Sequence, residues 1–318
     1  MKKVGIIGAG ISGLYIANLF KRNSNYQITV FEKNHAINLD EGYGIQLSVN
    51  SVKLLNQIGF DKFKGDKKFN PNKINFYFIN SSNKICDLDI SEFNSQECKY
   101  TTLKRSDLVN FLKVGLEESI KTNHNISKID HKNKKIKLNF ENNEIFECDY
   151  LIISDGVFSK SKSLISNNQT QPRFNKMLAI RGTIANSQKI DCKNISLFLG
   201  PDFHQVIYPV NPSGDLNFIA ILKYDLPINE QKNYLLFNDD NFIKNILGDI
   251  PIEMREFLNE IKQLKIFPIF ISNNFFKLKN DNVHLIGDAL FAFPPSFAQG
   301  ASQSIEGAYE LFKSIENK

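Results

Sequence analysis

Glycines recur near the amino terminus at Gly8, Gly10 and Gly13, in the run Gly8-Ala9-Gly10-Ile11-Ser12-Gly13. This G-x-G-x-x-G spacing suits a phosphate-binding turn between a strand and a helix. Gly8 permits the tight turn, Gly10 lets a pyrophosphate approach the backbone, and Gly13 lets the helix pack close to a sheet. Ile11 and Ser12 then fall in the first helical turn, where unpaired N–H groups and a partial positive charge attract phosphate oxygens. Glu32, followed by Lys33, lies nineteen residues after Gly13. That is close to the spacing of about 20 at which an acidic side chain meets ribose hydroxyls. The Glu32 carboxylate would repel a 2′-phosphate, which argues against NADP at this site. A structural glycine turn is the alternative reading, and the motif alone does not choose between FAD and NAD.

The elements needed to position these residues are legible around them. Lys3 to Ile7 is a short apolar, branched run suited to a buried parallel strand. A helix with Leu14, Ile16, Ala17 and Phe20 inward and a strand over Gln27 to Phe31 follow. Two later strands also end in glycine turns. Asp149 to Ser154 runs into Asp155-Gly156-Val157-Phe158-Ser159, and Val283 to Ile286 runs into Gly287-Asp288-Ala289. Pro294-Pro295 and then Ala298-Gln299-Gly300-Ala301-Ser302-Gln303 open a final helix.

Over nearly its whole length, the chain resembles the FAD-dependent aromatic-ring monooxygenases, the group of para-hydroxybenzoate hydroxylase, salicylate hydroxylase and the ubiquinone-pathway hydroxylases. Three motifs in the family's order carry the resemblance: the GAGISG turn with Glu32, Asp155-Gly156, and Gly287-Asp288 followed by PP and QGA. The resemblance implies FAD as cofactor, with NAD(P)H and O2 as co-substrates, and hydroxylation of a small phenolic ring through a flavin C4a-hydroperoxide. It implies that Asp288 binds the ribityl or ribose part of FAD, and that Gly300 and Ala301 turn backbone N–H groups to the flavin N1–C2=O edge. It places Asp155 and Gly156 near the pyrophosphate and ties Asp155 to NAD(P)H use. Arg105, opening RSDLVNFLKVGL, matches an arginine on the FAD phosphate and ribose, although an ordinary exposed helix start would read the same way. Gly44-Ile45-Gln46 corresponds to the segment beside the isoalloxazine, and the Ile126 backbone to the position that reads adenine.

The implied fold is α/β: a Rossmann-like FAD-binding domain of the glutathione-reductase type with an inserted antiparallel-sheet substrate domain. Residues 1–72, 99–165 and 273–318 are assigned to the first, and 73–98 and 166–272 to the second. Strand-like runs such as INFYFI, NISLFLG, HQVIYPV and LNFIAILKY support the inserted sheet. The stretch from Asn229 to Leu264 reads as helical. No second G-x-G-x-x-G offers a separate nicotinamide domain, and no C-x-x-C supports a disulfide reductase.

Candidate pocket residues are Arg181, His204, Tyr208 and Phe291. His204, Val206 and Tyr208 alternate along one strand and share a face, turned either to a pocket or to solvent. For Arg181 a salt bridge competes with a substrate anion, and for His204 and Tyr208 ordinary packing competes with a pocket role. Four features depart from the family. Leu290 and Phe291 follow Ala289 in place of a small residue and histidine, and Lys162 stands where the Asp-Gly motif usually ends in arginine. Gly307 replaces an acidic residue, and the sequence ends at Lys318, where many relatives continue for roughly another 50–80 residues. These departures keep two alternatives in view: an FAD oxidoreductase without oxygen insertion, and a non-catalytic FAD-binding scaffold.

Composition bounds the remainder. The chain has 318 residues, 42% hydrophobic and 23% charged, which are globular values. A net charge of +5, spread without basic runs, argues against nucleic acid. Cys86, Cys98, Cys148 and Cys192 lack metal-ligand spacing and read as reduced thiols of a cytoplasmic protein, so no metal is expected. No stretch approaches the roughly 20 apolar residues of a membrane span. The N-terminal glycines argue against an export signal. A monomer or homodimer is expected, and peripheral membrane contact stays open because some ubiquinone-pathway relatives act on lipid-tailed substrates.

Overall fold

The structure is a computed structural model that describes residues 1–37, 39, 43–81, 83–132, 135–166, 171–185, 193–233, 235–248, 260–273, 278 and 281–317. Its first body is built on a five-stranded parallel sheet. In spatial order the strands are Val283–Leu285, Tyr150–Ile153, Lys2–Ile7, Tyr26–Phe31 and Ile120–Lys121. The inner strands are almost wholly apolar because both faces of the sheet are covered. On one face lie the helices Ile11–Lys21 and Gly300–Glu316, sharing a core that includes Leu14, Ile16, Phe20, Ile305 and Ala308. On the other face lies an antiparallel meander of Ile126–Lys132, Lys135–Phe140 and Ile145–Cys148, packed through Ile136, Leu138 and Phe140 onto Ile7, Phe31 and Ile153.

The second body is a seven-stranded sheet in the order Ile261–Ile271, Arg173–Ile184, Leu216–Lys223, Phe203–Pro209, Ile195–Leu199, Lys73–Phe78 and Lys84–Asp89. One pair departs from the antiparallel expectation: Ile195–Leu199 runs parallel to Lys73–Phe78. More than a hundred residues of other structure separate these two strands, so no hairpin dictates their relative direction. A core including Leu178, Ile180, Phe203, Phe218 and Ile246 covers one face of the sheet, Ile246 coming from the helix Asp240–Gly248.

The helical reading to Leu264 fails at its end. Ile261 opens a strand that pairs with Arg173–Ile184, slipping register near Gln263, where φ is +53°. Strand pairing, which a local pattern does not contain, overrides helical spacing here. Residues 249–259 lie outside the described residues. A small antiparallel sheet of Gly44–Leu47, Thr101–Lys104 and Lys68–Phe69 joins the two bodies. Among the described residues, no helix is long and apolar enough to cross a membrane.

Candidate active site

Close backbone contacts bring the three glycine turns together. Gly8 has φ +101°, and a Cβ there would lie 2.4 Å from the Ser154 carbonyl oxygen and 3.0 Å from Asp155 Cα. Ser154 Oγ donates back to Ile7 O (2.8 Å) and Gly8 O (3.1 Å). Gly287, at φ +59°, sits against Ser12: a Cβ there would be 2.7 Å from Ser12 Oγ. A side chain at either position would push the turns apart. Gly10 differs, since a Cβ there would meet nothing within 4 Å. It opens the first helix with no side-chain cap, leaving the N–H groups of that turn, including those of Ile11 and Ser12, available. Buried Gly13 follows in the same turn.

The other expected dinucleotide residues fall in distinct settings. The Glu32 carboxylate accepts from Ala9 N (3.2 Å) and Asn34 N (3.0 Å), which fixes it beside the glycine turn. Lys33 is exposed. Arg105 opens its helix half-buried, its N–H bonded to Tyr43 O at 2.8 Å. The Ile126 side chain is core, beneath the parallel sheet. Asp155 accepts from Ser159 Oγ and from Ser161 N (3.1 Å), so its carboxylate caps the following helix, Lys160–Ser166. Gly156, at φ +83°, has open space where a side chain would be. Lys162 is buried, which lowers its pKa, and its Nζ reaches Leu290 O at 3.4 Å. It therefore ties the Asp155 turn to the Asp288 turn.

A cavity of about 930 Å³ lies between the two bodies. Its lining includes Gly44, Ile45, Asp288, Gly300 and Ala301, and also Arg181, His204 and Tyr208. The shared face of His204, Val206 and Tyr208 thus looks into this cavity. Phe291 does not line it. Phe291 packs on Phe293, with ring centroids 6.1 Å apart, and Phe293 reaches the cavity instead. Gly8, Gly10, Glu32, Arg105, Ile126 and Asp155 are outside the cavity lining.

The cavity has one strongly polar corner. Tyr100 Oη donates to Gln46 Oε1 at 2.7 Å, and Tyr208 lies in the same corner. Burial raises the Tyr208 pKa, and Arg181 and Gln46 partly offset that rise. Burial raises Tyr100 as well. The Arg181 guanidinium lies over the Tyr43 ring at 5.7 Å, a cation–π contact that orients it. Burial lowers the His204 pKa and so favours the neutral imidazole. Asp288 lines the cavity, exposed at its surface, and desolvation by the surrounding protein raises its pKa. Tyr43, Tyr100 and the pocket role of Gln46 escaped sequence reading, because residues 43–46, 100 and 208 meet only through tertiary pairing.

The donor set fits FAD. The uncapped first helix and the open space at Gly10 suit a pyrophosphate, and Glu32 suits a ribose. Gly300 also has open space at its Cβ position and starts a 17-residue helix whose N-terminus lines the cavity, facing where an electron-rich flavin edge would lie. Among the described residues, no three His, Cys, Asp or Glu side chains cluster to hold a metal. Cys86, Cys98 and Cys148 are free thiols, and Cys192 lies outside the described residues.

Comparison with known proteins identifies the family. A family model described as "FAD binding domain" matches residues 1–317. Salicylate hydroxylase of Pseudomonas putida is 24% identical over 345 residues, covering 97% of this chain and 76% of that protein. The 6-hydroxynicotinate 3-monooxygenase of Bordetella bronchiseptica is 20% identical, covering 99% of this chain and 82% of that protein. Klebsiella pneumoniae HpxO, solved with FAD and uric acid, shares the fold at TM-score 0.84 and 17% identity, covering 100% of this chain and 80% of that one. Matched along essentially its whole length, the chain belongs to the FAD-binding-domain family, among its FAD-dependent aromatic-ring monooxygenases.

Proposed function

We propose that this enzyme hydroxylates a phenolic ring. One O2, one NAD(P)H, one proton and the aromatic substrate give the hydroxylated product, NAD(P)+ and water. One oxygen atom replaces ring hydrogen, and the other leaves as water. The observation that carries the proposal is one cavity lined both by Asp288, Gly300 and Ala301 and by Arg181, His204 and Tyr208.

When bound, FAD would supply the redox chemistry that couples NAD(P)H to O2. Glu32 and the first helix would hold its ribose and pyrophosphate, and Asp288 a hydroxyl of its sugar chain. The N–H groups of Gly300 and Ala301 would stabilise negative charge on the flavin edge. Tyr208 remains a neutral phenol near neutral pH. Its proton is available to a substrate oxygen. Tyr100 fixes Gln46 beside it. Arg181 attracts a phenolate or carboxylate on the ring, and neutral His204 can accept a proton from a substrate hydroxyl. The apolar walls exclude water from the reacting ring. Free thiols at Cys86, Cys98 and Cys148 support a reducing, cytoplasmic setting.

The test is turnover of FAD-loaded protein on a panel of phenols under ¹⁸O2. One labelled oxygen atom per product, with NAD(P)H consumed in step, is the expected result. Turnover that proceeds equally well without O2 would replace hydroxylation by oxidoreduction without oxygen insertion.

A further inference from the structure

A second cavity, of about 530 Å³, shares no lining residue with the first. Its size is that of small-molecule sites, which run from roughly 300 to 1,000 Å³. It is built where the helix Val49–Asn56 and the segment after it meet the approach to the strand Thr101–Lys104. Buried Val52, Phe60 and Thr101 line it, and its other lining side chains are all polar or charged. Such walls suit a polar ligand with charge of its own.

Two lining groups lack the partner their chemistry asks for. Lys68 is half-buried, and burial lowers its pKa, with Asp61 partly offsetting the fall. Its Nζ lies over the Phe60 ring at 4.8 Å and donates to Phe60 O at 3.2 Å. An ammonium has three N–H donors, yet among the described residues this one forms no ion pair. Asn56 is the second case. Its Nδ2 donates to Glu97 O at 2.9 Å and to Cys98 Sγ at 3.6 Å, which fixes the orientation of the amide. Its Oδ1 is then left buried without a hydrogen-bond partner, a costly state for an acceptor. Asp61, Glu97 and Lys99, all exposed, line the same cavity, and among the described residues none of the three forms an ion pair.

We infer that this second cavity is an effector site for a small zwitterion of the amino-acid class. The carboxylate would lie on Lys68 and Lys99, and the ammonium beside Asp61 and Glu97 with an N–H turned to Asn56 Oδ1. A simple anion would satisfy Lys68 but meet Asp61 and Glu97 unfavourably and leave Asn56 Oδ1 unpaired. The site is joined to the first cavity in two ways. The helix Val49–Asn56 lines the first cavity with Val49 and Asn50 and the second with Val52 and Asn56. Asn70, which lines the second, donates from Nδ2 to Tyr100 O and to Thr101 Oγ1, both at 2.9 Å, and Tyr100 Oη bonds Gln46 in the first. An occupant therefore acts on the wall of the first cavity through a helix and a hydrogen-bonded tyrosine, and the coupling is reciprocal.

The test is calorimetric titration of FAD-loaded protein with glycine, serine, glutamine and phenylalanine, with their N-acetyl and amide derivatives, and with acetate and inorganic phosphate. At least one amino acid should bind with Kd on the order of 1 mM or tighter. Blocking either of its charges should raise that Kd at least tenfold. Lys68→Gln and Glu97→Gln should each do the same, since each removes the partner of one end, while Lys64→Gln, outside the lining, should change nothing. Flavin absorbance should shift along the same binding curve. Amino acids that bind no better than acetate or phosphate, or a Kd indifferent to both Lys68→Gln and Glu97→Gln, overturn the site. Binding that leaves the flavin spectrum unchanged overturns the effector role. The titration involves no turnover, so its outcome and that of the hydroxylation assay are independent.

Discussion

Two glycines two positions apart have opposite tasks. Gly8 serves the fold, since it combines φ +101° with a would-be Cβ 2.4 Å from Ser154 O. Gly8→Ala should cost about 2–4 kcal/mol through left-handed strain and overpacking, and should lower the melting point of FAD-free protein by several degrees. Gly10 serves the ligand, because its Cβ position is empty. Gly10→Ala should leave the FAD-free melting point within about a degree and raise the Kd for FAD at least tenfold. Equal melting losses in both variants would contradict the assignment. Tyr208 is the third case. Tyr208→Phe removes the hydroxyl that the cavity offers to a substrate oxygen. Substrate Kd should rise about tenfold, from roughly 1–3 kcal/mol, with FAD affinity unchanged in a flavin titration.

At the scale of elements, one strand joins the two bodies. Gly44 N donates to Asn217 Oδ1 at 2.6 Å, and a Cβ on Gly44 would lie 2.6 Å from Asn217 Cβ and 2.8 Å from Tyr208 Cε2. The Gly44–Leu47 strand therefore lies directly against the sheet that carries Tyr208. Asn217→Ala should cost about 1–3 kcal/mol by leaving a buried N–H unpaired, read as a shift in urea midpoint. It should also raise substrate Kd, because it loosens the strand carrying Gln46. The turns around Gly8, Asp155 and Asp288 were legible in the sequence because each is a local backbone requirement written in glycine spacing. The strand from Ile261 and the Tyr43–Gln46–Tyr100–Tyr208 cluster were not, since both are set by partners far along the chain. Phe291 was singled out for its chemistry, but the turn after Gly287 directs Phe293 into the cavity instead.

For the whole molecule, pH and assembly of the cavity are linked. Burial holds the His204 pKa below its ordinary value of 6.5, so unfolding takes up a proton between that lowered value and about 6.5. Stability should be level above about pH 6.5 and fall as the pH drops below it. His204→Gln should weaken this dependence in thermal melts run from pH 7.5 to 5. The carboxylates of Asp149 and Asp215 are held below the ordinary 3.8 by Lys135 and Lys104, so their contribution is lost only at still lower pH. The central claim is that one cavity holds a reducible flavin edge and a phenolic ring together. Its most direct test is anaerobic stopped-flow mixing of FAD-loaded protein with NADH and with NADPH, with and without hydroxylated aromatic acids and alkylphenols. The account predicts bleaching of the flavin by at least one nucleotide, accelerated at least tenfold by an aromatic that binds the cavity. Tightly bound FAD that neither nucleotide reduces, with every aromatic tested, would contradict it.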